Sequence, residues 1–319
     1  MGHGHMNDVV AEKNLRQHFL EPEVRGGTSV SAELKALWKV LLDMLEEIQR
    51  VCEKHGLEWT LEGGSLLGAM RHGGFIPWDD DIDVVMPRKD YDRLVKILPS
   101  ELPSYYECQS TLTDRDFHIP HIMIRDSRTT GIDISHVKWG KRFNMGIRID
   151  VLALDGMPRS AFVRGLVKRY MSIVNCALPH DNAAWASRSF RGRIKTLLGR
   201  VLWMALGNKG IYWLRELPLR LLPMCKYEWC GSLVGRNFWH PHSIRKTEWF
   251  DEYIKVPFEY LIVPVPKEYD KILTQQFKNW KTPVKGRSYH GELIYDVSKD
   301  WKTTLIEKYG YKESDFKHK

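Results

Sequence analysis

Between Ser31 and His55 apolar residues recur every three or four positions, at Leu34, Leu37, Trp38, Leu41, Leu42, Leu45 and Ile48, and the run stops at Gly56. That period predicts one long amphipathic helix with a glycine stop. Past it the rhythm keeps changing. Residues 57–62 read as a short strand, 65–71 as a helix, 82–86 as a strand and 89–98 as a helix closed by Pro99. Further strands are predicted at 121–125 and 146–152. Strands and helices mixed in this order predict an α+β fold, a small mixed sheet with helices against it. From 160 to 222 the pattern is almost wholly helical, interrupted at Pro179, Gly192, Gly207, Gly210 and Pro218. A strand at 260–265 and a helix at 268–280 follow.

Composition narrows the picture only a little. With 43% hydrophobic and 11% aromatic residues in 319, the chain is expected to bury a real core rather than stay disordered. No apolar run nears the roughly 20 residues that span a bilayer, and no secretory leader is recognisable, so a cytoplasmic chain is expected, with peripheral contact on the inner face of the cell membrane as an option. The opening MGHGHM reads as an appended tag, and Met6 breaks the myristoylation pattern. Five scattered cysteines predict reduced thiols. Charge changes the picture more. Residues 159–226 hold 13 Lys and Arg against Asp181 and Glu216, although the whole chain nets only +8. This basic stretch reads either as the solvated faces of packed helices or as a surface for anionic lipid or a polyanionic acceptor. The expected division is a tag remnant and extension over 1–30, a core over 31–158, and a basic helical region with a C-terminal segment over 159–319. The boundary is soft enough for a single domain.

The chemistry concentrates in GGSLLGAMRHGGFIPWDDDIDVVMPR, residues 63–88. Gly63 and Gly64 between a strand and a helix let a ligand approach the backbone closely, and Ser65 is placed to cap that helix, whose unpaired N–H groups suit phosphate. In an extended segment Asp81 and Asp83 project to one face while Ile82 and Val84 project to the other. Two carboxylates at the rim of a buried strand repel unless a cation lies between them. A hard divalent ion, Mg²⁺ or Mn²⁺, meets that demand and leaves positions for phosphate oxygens. Asp150, in the apolar run IRIDVLALDGMP, is the expected third acid. A solvated acidic turn would not explain the alternation running into Val84 and Val85.

This combination resembles the nucleotidyltransferase superfold typified by DNA polymerase beta. More closely, residues 62–94, IRIDVLALDGMP, KYEWCGSLVG and the run 249–273 are similar to the LicD family, which includes bacterial phosphocholine transferases and, more distantly, fukutin and fukutin-related protein. The resemblance implies a nucleotidyltransferase-like mixed-sheet core in 31–158, with a helical, basic elaboration. It also implies transfer of a phospho-alcohol from a CDP-activated donor (CDP-choline, or CDP-ribitol or CDP-glycerol) to a hydroxyl of a cell-surface glycan such as lipopolysaccharide or teichoic acid, releasing CMP. Nucleic acid is not an expected partner. On this reading Asp81 and Asp83 hold metal and diphosphate, with Asp150 as third ligand or as base. Asp79 joins the metal set or, with Asp80, orients metal-bound water. Ser65 and the nearby amides hold a donor phosphate; Arg71, His72 and Arg88 either neutralise its charge or are exposed helix-end residues. The sequence departs from the family at Phe277, Lys278 and Asn279, where a Tyr-Gly-Asp-like stretch is usual, which leaves donor and acceptor identity open.

Other features are weaker. Cys225 and Cys230 with His240 and His242 could be read as a zinc site, but the spacing is not a structural-zinc pattern. Trp78, Trp139, Trp239, Trp249 and Trp280 could box a choline headgroup. Most are expected to be packing residues, with Trp78 the candidate. Lys285, Arg287 and His290 form a basic loop that either reaches a phosphate or is solvated. Rival readings are a nucleotidyltransferase releasing pyrophosphate and a non-catalytic scaffold for a polyanion or membrane.

Overall fold

In the computed structural model, which describes residues 16–114, 117, 119–138, 140–175, 177, 190–233, 243–284 and 293–316, a hairpin of β1 (Glu23–Arg25) and β2 (Thr28–Val30) leads into α1 (Ala32–His55). The predicted helix is present with both its stops. The Ser31 hydroxyl accepts the Leu34 N–H at 3.2 Å, and Gly56 closes the far end in the left-handed region at φ 59°. The stripe Leu37, Trp38, Leu41, Leu45 and Ile48 is fully buried against the sheet.

The sheet grows from β3 (Thr60–Leu61), β4 (Asp83–Pro87), β5 (Tyr106–Gln109), β6 (Ile122–Asp126) and β8 (Ile147–Met157), joined by β9 (Trp229–Gly231) and β10 (Arg245–Lys246). β8 is its spine. One edge pairs in parallel with β4, while the other pairs antiparallel first with β6 and then with β9. This mixed sheet with helices α2 (Gly63–His72) and α3 (Arg88–Glu101) packed on it is the α+β arrangement expected. β7 (Thr130–Asp133), followed by the short α4 (Ile134–Lys138), pairs instead with β13 (Leu293–Asp296).

Several boundaries differ from expectation. The predicted strand at 57–62 shrinks to two residues, and β8 runs five residues past 152 because β4 pairs with it as far as Leu154 and β9 pairs with Asp155 to Met157. Pro99 does not close α3. The helix continues to Glu101, whose carboxylate is held by Lys54 and His55 at 2.8 Å each, so one missing N–H near the end is tolerated. After β8 come α5 (Ala161–Asn175) and α6 (Phe190–Arg220), the latter broken at Gly207 (φ 60°). The chain then forms a hairpin of β11 (Tyr253–Phe258) and β12 (Leu261–Pro266), α7 (Tyr269–Phe277), β13 and α8 (Trp301–Tyr309).

A second, smaller core gathers Phe117, Met123, Ile132, Phe143 and Met145 around Trp301 and Leu305 of α8. His136 is buried at its margin, edge-on to Phe143. Burial, then the positive charge of Arg125, with Arg148 and Lys141 adding and Asp133 opposing, pushes its imidazole down to about 4. An unfolded histidine takes up its proton near pH 6.5. Protons therefore favour the unfolded chain between those values, and stability is lost as pH falls through that window, by on the order of 3 kcal/mol in full. Thermal unfolding should drop steeply from pH 6.5 to 4.5 in the wild type and less steeply in His136→Leu.

Candidate active site

Parallel pairing of β4 with β8 sets Asp83 directly opposite Asp150. Just upstream, the Glu62 N–H donates to the Asp83 carbonyl at 2.9 Å, and the Asp83 N–H donates to Ser65 Oγ at 3.0 Å. Ser65 is therefore not the cap expected of it. Glu62 occupies the cap position of α2, the glycine pair forms the first turn, and the buried Ser65 hydroxyl fastens that turn to the strand bearing Asp83. Gly63 is needed for its backbone conformation and Gly64 for space. Gly63 takes φ 55°, and a Cβ there would lie 3.9 Å from Asp83 Oδ2; a Cβ on Gly64 would be 2.8 Å from Asp79 Oδ2. Only a glycine lets the Asp79 carboxylate come so near the helix start.

The acidic turn is aimed by α1. Trp38 stacks on Phe75 with ring centroids 4.7 Å apart and donates its indole N–H to the Asp79 carbonyl at 2.8 Å. Carboxylate oxygens of Asp79, Asp80 and Asp81 come within 4.8 Å of one another. Asp83 feels this crowd. Burial, then the charges of Asp81, Asp150, Glu62 and Asp79, holds its carboxyl well above the usual range. Asp150 goes the opposite way. Burial alone would raise it, but Arg148, His121 and Arg125 outweigh burial and hold it well below the usual range. Arg148 Nε lies 3.6 Å and His121 Nε2 3.5 Å from Asp150 Oδ1. The half-buried Arg148 also feels the charges of Asp81, Asp133 and Asp83, so one guanidinium serves several acids.

A cavity of about 260 Å³ opens over the paired aspartates. Glu62, Gly63, His121, Val85, Leu152 and Leu154 line it, together with Ser232, Ser243, Arg245 and Gln276 from the later part of the chain. Arg245 grips Glu62 through two hydrogen bonds, one of them 2.6 Å from Nη1 to Oε2. Asp150 Oδ1, both His121 ring nitrogens, Arg148 Nε, Arg245 Nε and Gln276 Oε1 are buried with no hydrogen-bond partner among the described residues. Such clustering around one cavity is the mark of a site shaped for a polar ligand. Among the described residues Asp79, Asp80 and Asp81 are the group whose carboxylate oxygens lie close enough to share an ion, an all-oxygen set that fits a hard divalent cation.

Of the residues expected from sequence, Gly63, Asp83 and Asp150 line that cavity, Gly64 and Ser65 belong to the helix turn beside it, and Asp79 and Asp81 gather with Asp80 in the acidic turn. Arg71 and His72 lie at the far end of α2: Arg71 donates to His72 Nε2 (3.0 Å) and to the Trp280 carbonyl (3.1 Å), and burial lowers both groups. Arg88 is a correction. It is not an exposed helix-end residue but is buried at the other end of β4 from Asp83, bidentate to Asp155 (2.7 and 2.8 Å) and bonded to Glu216 (2.5 Å). Trp78 and Trp249 are half-buried against the main core, and the buried Trp280 donates its indole N–H to Asp270 at 3.2 Å. Burial pushes the Cys230 thiol up to about 12, whereas Cys225 is exposed. Trp139, Trp239, His240, His242, Lys285, Arg287 and His290 lie outside the described residues. Sequence reasoning missed Glu62, His121, Arg148, Arg245 and Gln276. Arg148 was within reach, since two-residue alternation puts it on the same face of β8 as Asp150.

The sequence model of the LicD/FKTN/FKRP family, described as a nucleotidyltransferase domain, matches residues 56–150. Over 246 residues the chain is 44% identical to the lipopolysaccharide cholinephosphotransferase LicD of Haemophilus influenzae, an alignment covering 76% of this chain and 88% of that protein. Similarity to the human ribitol 5-phosphate transferase FKRP is narrower, 38% identity over 66 residues, or 21% of this chain and 13% of that one. An uncharacterized Rickettsia prowazekii protein, RP689, is 31% identical over 103 residues, 27% of this chain and 39% of that protein.

Proposed function

Because the chain belongs to the LicD family, we propose that it transfers phosphocholine from a CDP-activated donor to a hydroxyl of a cell-surface glycan, lipopolysaccharide in the first instance, and releases CMP. The observation that carries this reading is the pairing of Asp83 with Asp150 beneath a cavity whose other walls hold the unpartnered Arg245 Nε and the side-chain-free Gly63. We take the sheet and its helices as a nucleotidyltransferase-type core over 31–158, which the segment 159–319 completes by contributing Arg245 and Gln276.

Asp81 and Asp83, with Asp79 beside them and Asp150 opposite, would hold Mg²⁺ or Mn²⁺. When bound, such an ion neutralises the donor diphosphate. The remaining work falls to the protein. Gly63 lets the diphosphate lie against the start of α2, Ser65 locks the strand that carries Asp83, and Arg245 Nε donates to a phosphate oxygen while Glu62 fixes the guanidinium. Asp150, held ionised by Arg148, is a weak proton acceptor, so its part is to orient. His121 is better suited to take the proton of the acceptor hydroxyl, at Nδ1, with Asp150 steadying the imidazolium through Nε2, 3.5 Å away. A loose phosphoryl transition state asks for this kind of positioning and charge balance more than for a covalent intermediate.

End-product analysis tests the reading. CDP-choline, CDP-ribitol, CDP-glycerol and CTP are offered separately with Mg²⁺, with and without lipopolysaccharide. The expected result is CMP from CDP-choline, dependent on the acceptor. CMP from another CDP-alcohol would reassign the donor, and pyrophosphate from CTP would replace the proposal with nucleotidyl transfer.

A further inference from the structure

The helices α5 and α6 carry their apolar stripes on the outside. In α6, Phe190, Ile194, Leu197, Leu198, Val201 and Met204 recur at three- and four-residue spacing on one face, and all are exposed, Phe190 by 78% and Met204 by 70%. In α5 the same holds for Phe162, Leu166, Tyr170 and Ile173. What these helices bury is a different set: Met171 and Val174 of α5, and Ile211, Tyr212 and Leu219 of α6. An amphipathic helix normally turns its apolar stripe to the core, and soluble monomers seldom expose contiguous apolar surface on this scale.

The charge on the same helices selects what would cover it. Arg164, Lys168 and Arg169 lie on α5, with Arg193, Arg200 and Lys209 on α6. The two helices contain one acid, Glu216, and it is buried against Arg88 and Arg215. Their exposed faces are thus apolar and exclusively cationic. None of the described helices is long and apolar enough to cross a membrane. An exposed apolar stripe flanked by cations, on helices that do not span, is the pattern of a helix lying in the interface of an anionic bilayer. A second copy would bring its own cations to the contact and repel; an anionic headgroup layer complements them.

We propose that α5 and α6 dock this protein on anionic membrane surfaces. The inference is independent of the catalytic reading, because binding is measured without turnover. The full chain is floated with vesicles of phosphatidylcholine alone and with roughly one third phosphatidylglycerol, in low and high salt. Binding should favour the anionic vesicles about 10-fold or more and weaken with salt. The combined variant Leu197→Ser, Leu198→Ser and Met204→Ser should lose most of that binding, as should Lys168→Glu with Arg169→Glu, with melting temperatures unchanged because all these side chains are exposed. Equal binding of both vesicle types, or binding that neither variant alters, would overturn the proposal. So would a concentration-dependent dimer in sedimentation velocity, abolished by the serine variant, in a protein that ignores vesicles.

Discussion

Asp83→Asn should abolish phosphocholine transfer, by about 10³-fold or more, while raising the melting temperature of the metal-free protein. Both effects follow from one arrangement. Asp83 faces Asp150 across the strand pair and feels Asp81, Glu62 and Asp79, so its ionised form is costly in the folded state. Asparagine keeps the shape and removes the charge. In a chain of this size each kcal/mol of relieved repulsion raises the midpoint by about 1.5 °C. The sign with pH can also be checked. A carboxyl whose folded pKa lies above its unfolded value of 3.8 makes the folded state less stable as pH rises between the two, and the variant should lose that decline. Calorimetry in EDTA, run beside the transfer assay, separates the outcomes. A fall in melting temperature would mean that Arg148 already balances Asp83, and would undercut the case for a cation there.

The second large effect is on folding. Arg88→Met should destabilise the protein by about 3–5 kcal/mol, because it strands the buried Asp155 carboxylate and leaves Glu216 with Arg215 alone. Arg88 is 5% exposed, with Asp155 and Glu216 essentially inaccessible around it. Even with Arg88 in place, burial and the charge of Glu216 hold the Asp155 carboxyl up at about 6. Adding Asp155→Asn to Arg88→Met should restore part of the loss in denaturant unfolding, since one uncompensated charge goes with it. If Arg88 bound a donor phosphate instead, the single variant would raise KM at unchanged stability, and the second substitution would rescue nothing.

How far the chain announced all this depends on range. Local periodicity gave α1 with its glycine stop, β4, and the strand positions of Asp83 and Asp150, which the parallel pairing then sets opposite each other. Short elements escaped it. β9 and β10 have three and two residues, too few for a period, and exist because β8 offers an edge to β9 and β9 offers one to β10. Arg88 misled because its neighbours on the chain are polar and its true partners, Asp155 and Glu216, stand 67 and 128 positions away. The upper wall of the cavity was invisible for the same reason. No local pattern could have tied Arg245 to Glu62, 183 residues earlier.

That last span bears on the order in which the molecule comes into being. During synthesis every aspartate of the cluster leaves the ribosome long before Arg245, Gln276 or the β13 strand that pairs with β7. Closing such large loops adds little to the final free energy, since each doubling of length costs only about 0.6 kcal/mol, but it makes the fold rich in distant contacts and slow to complete. The nascent chain thus carries a set of mutually repelling acids before the wall that gives them a purpose. Residues 56–150 on their own would hold all of the chemistry the family signature names, and no enclosed space in which to perform it.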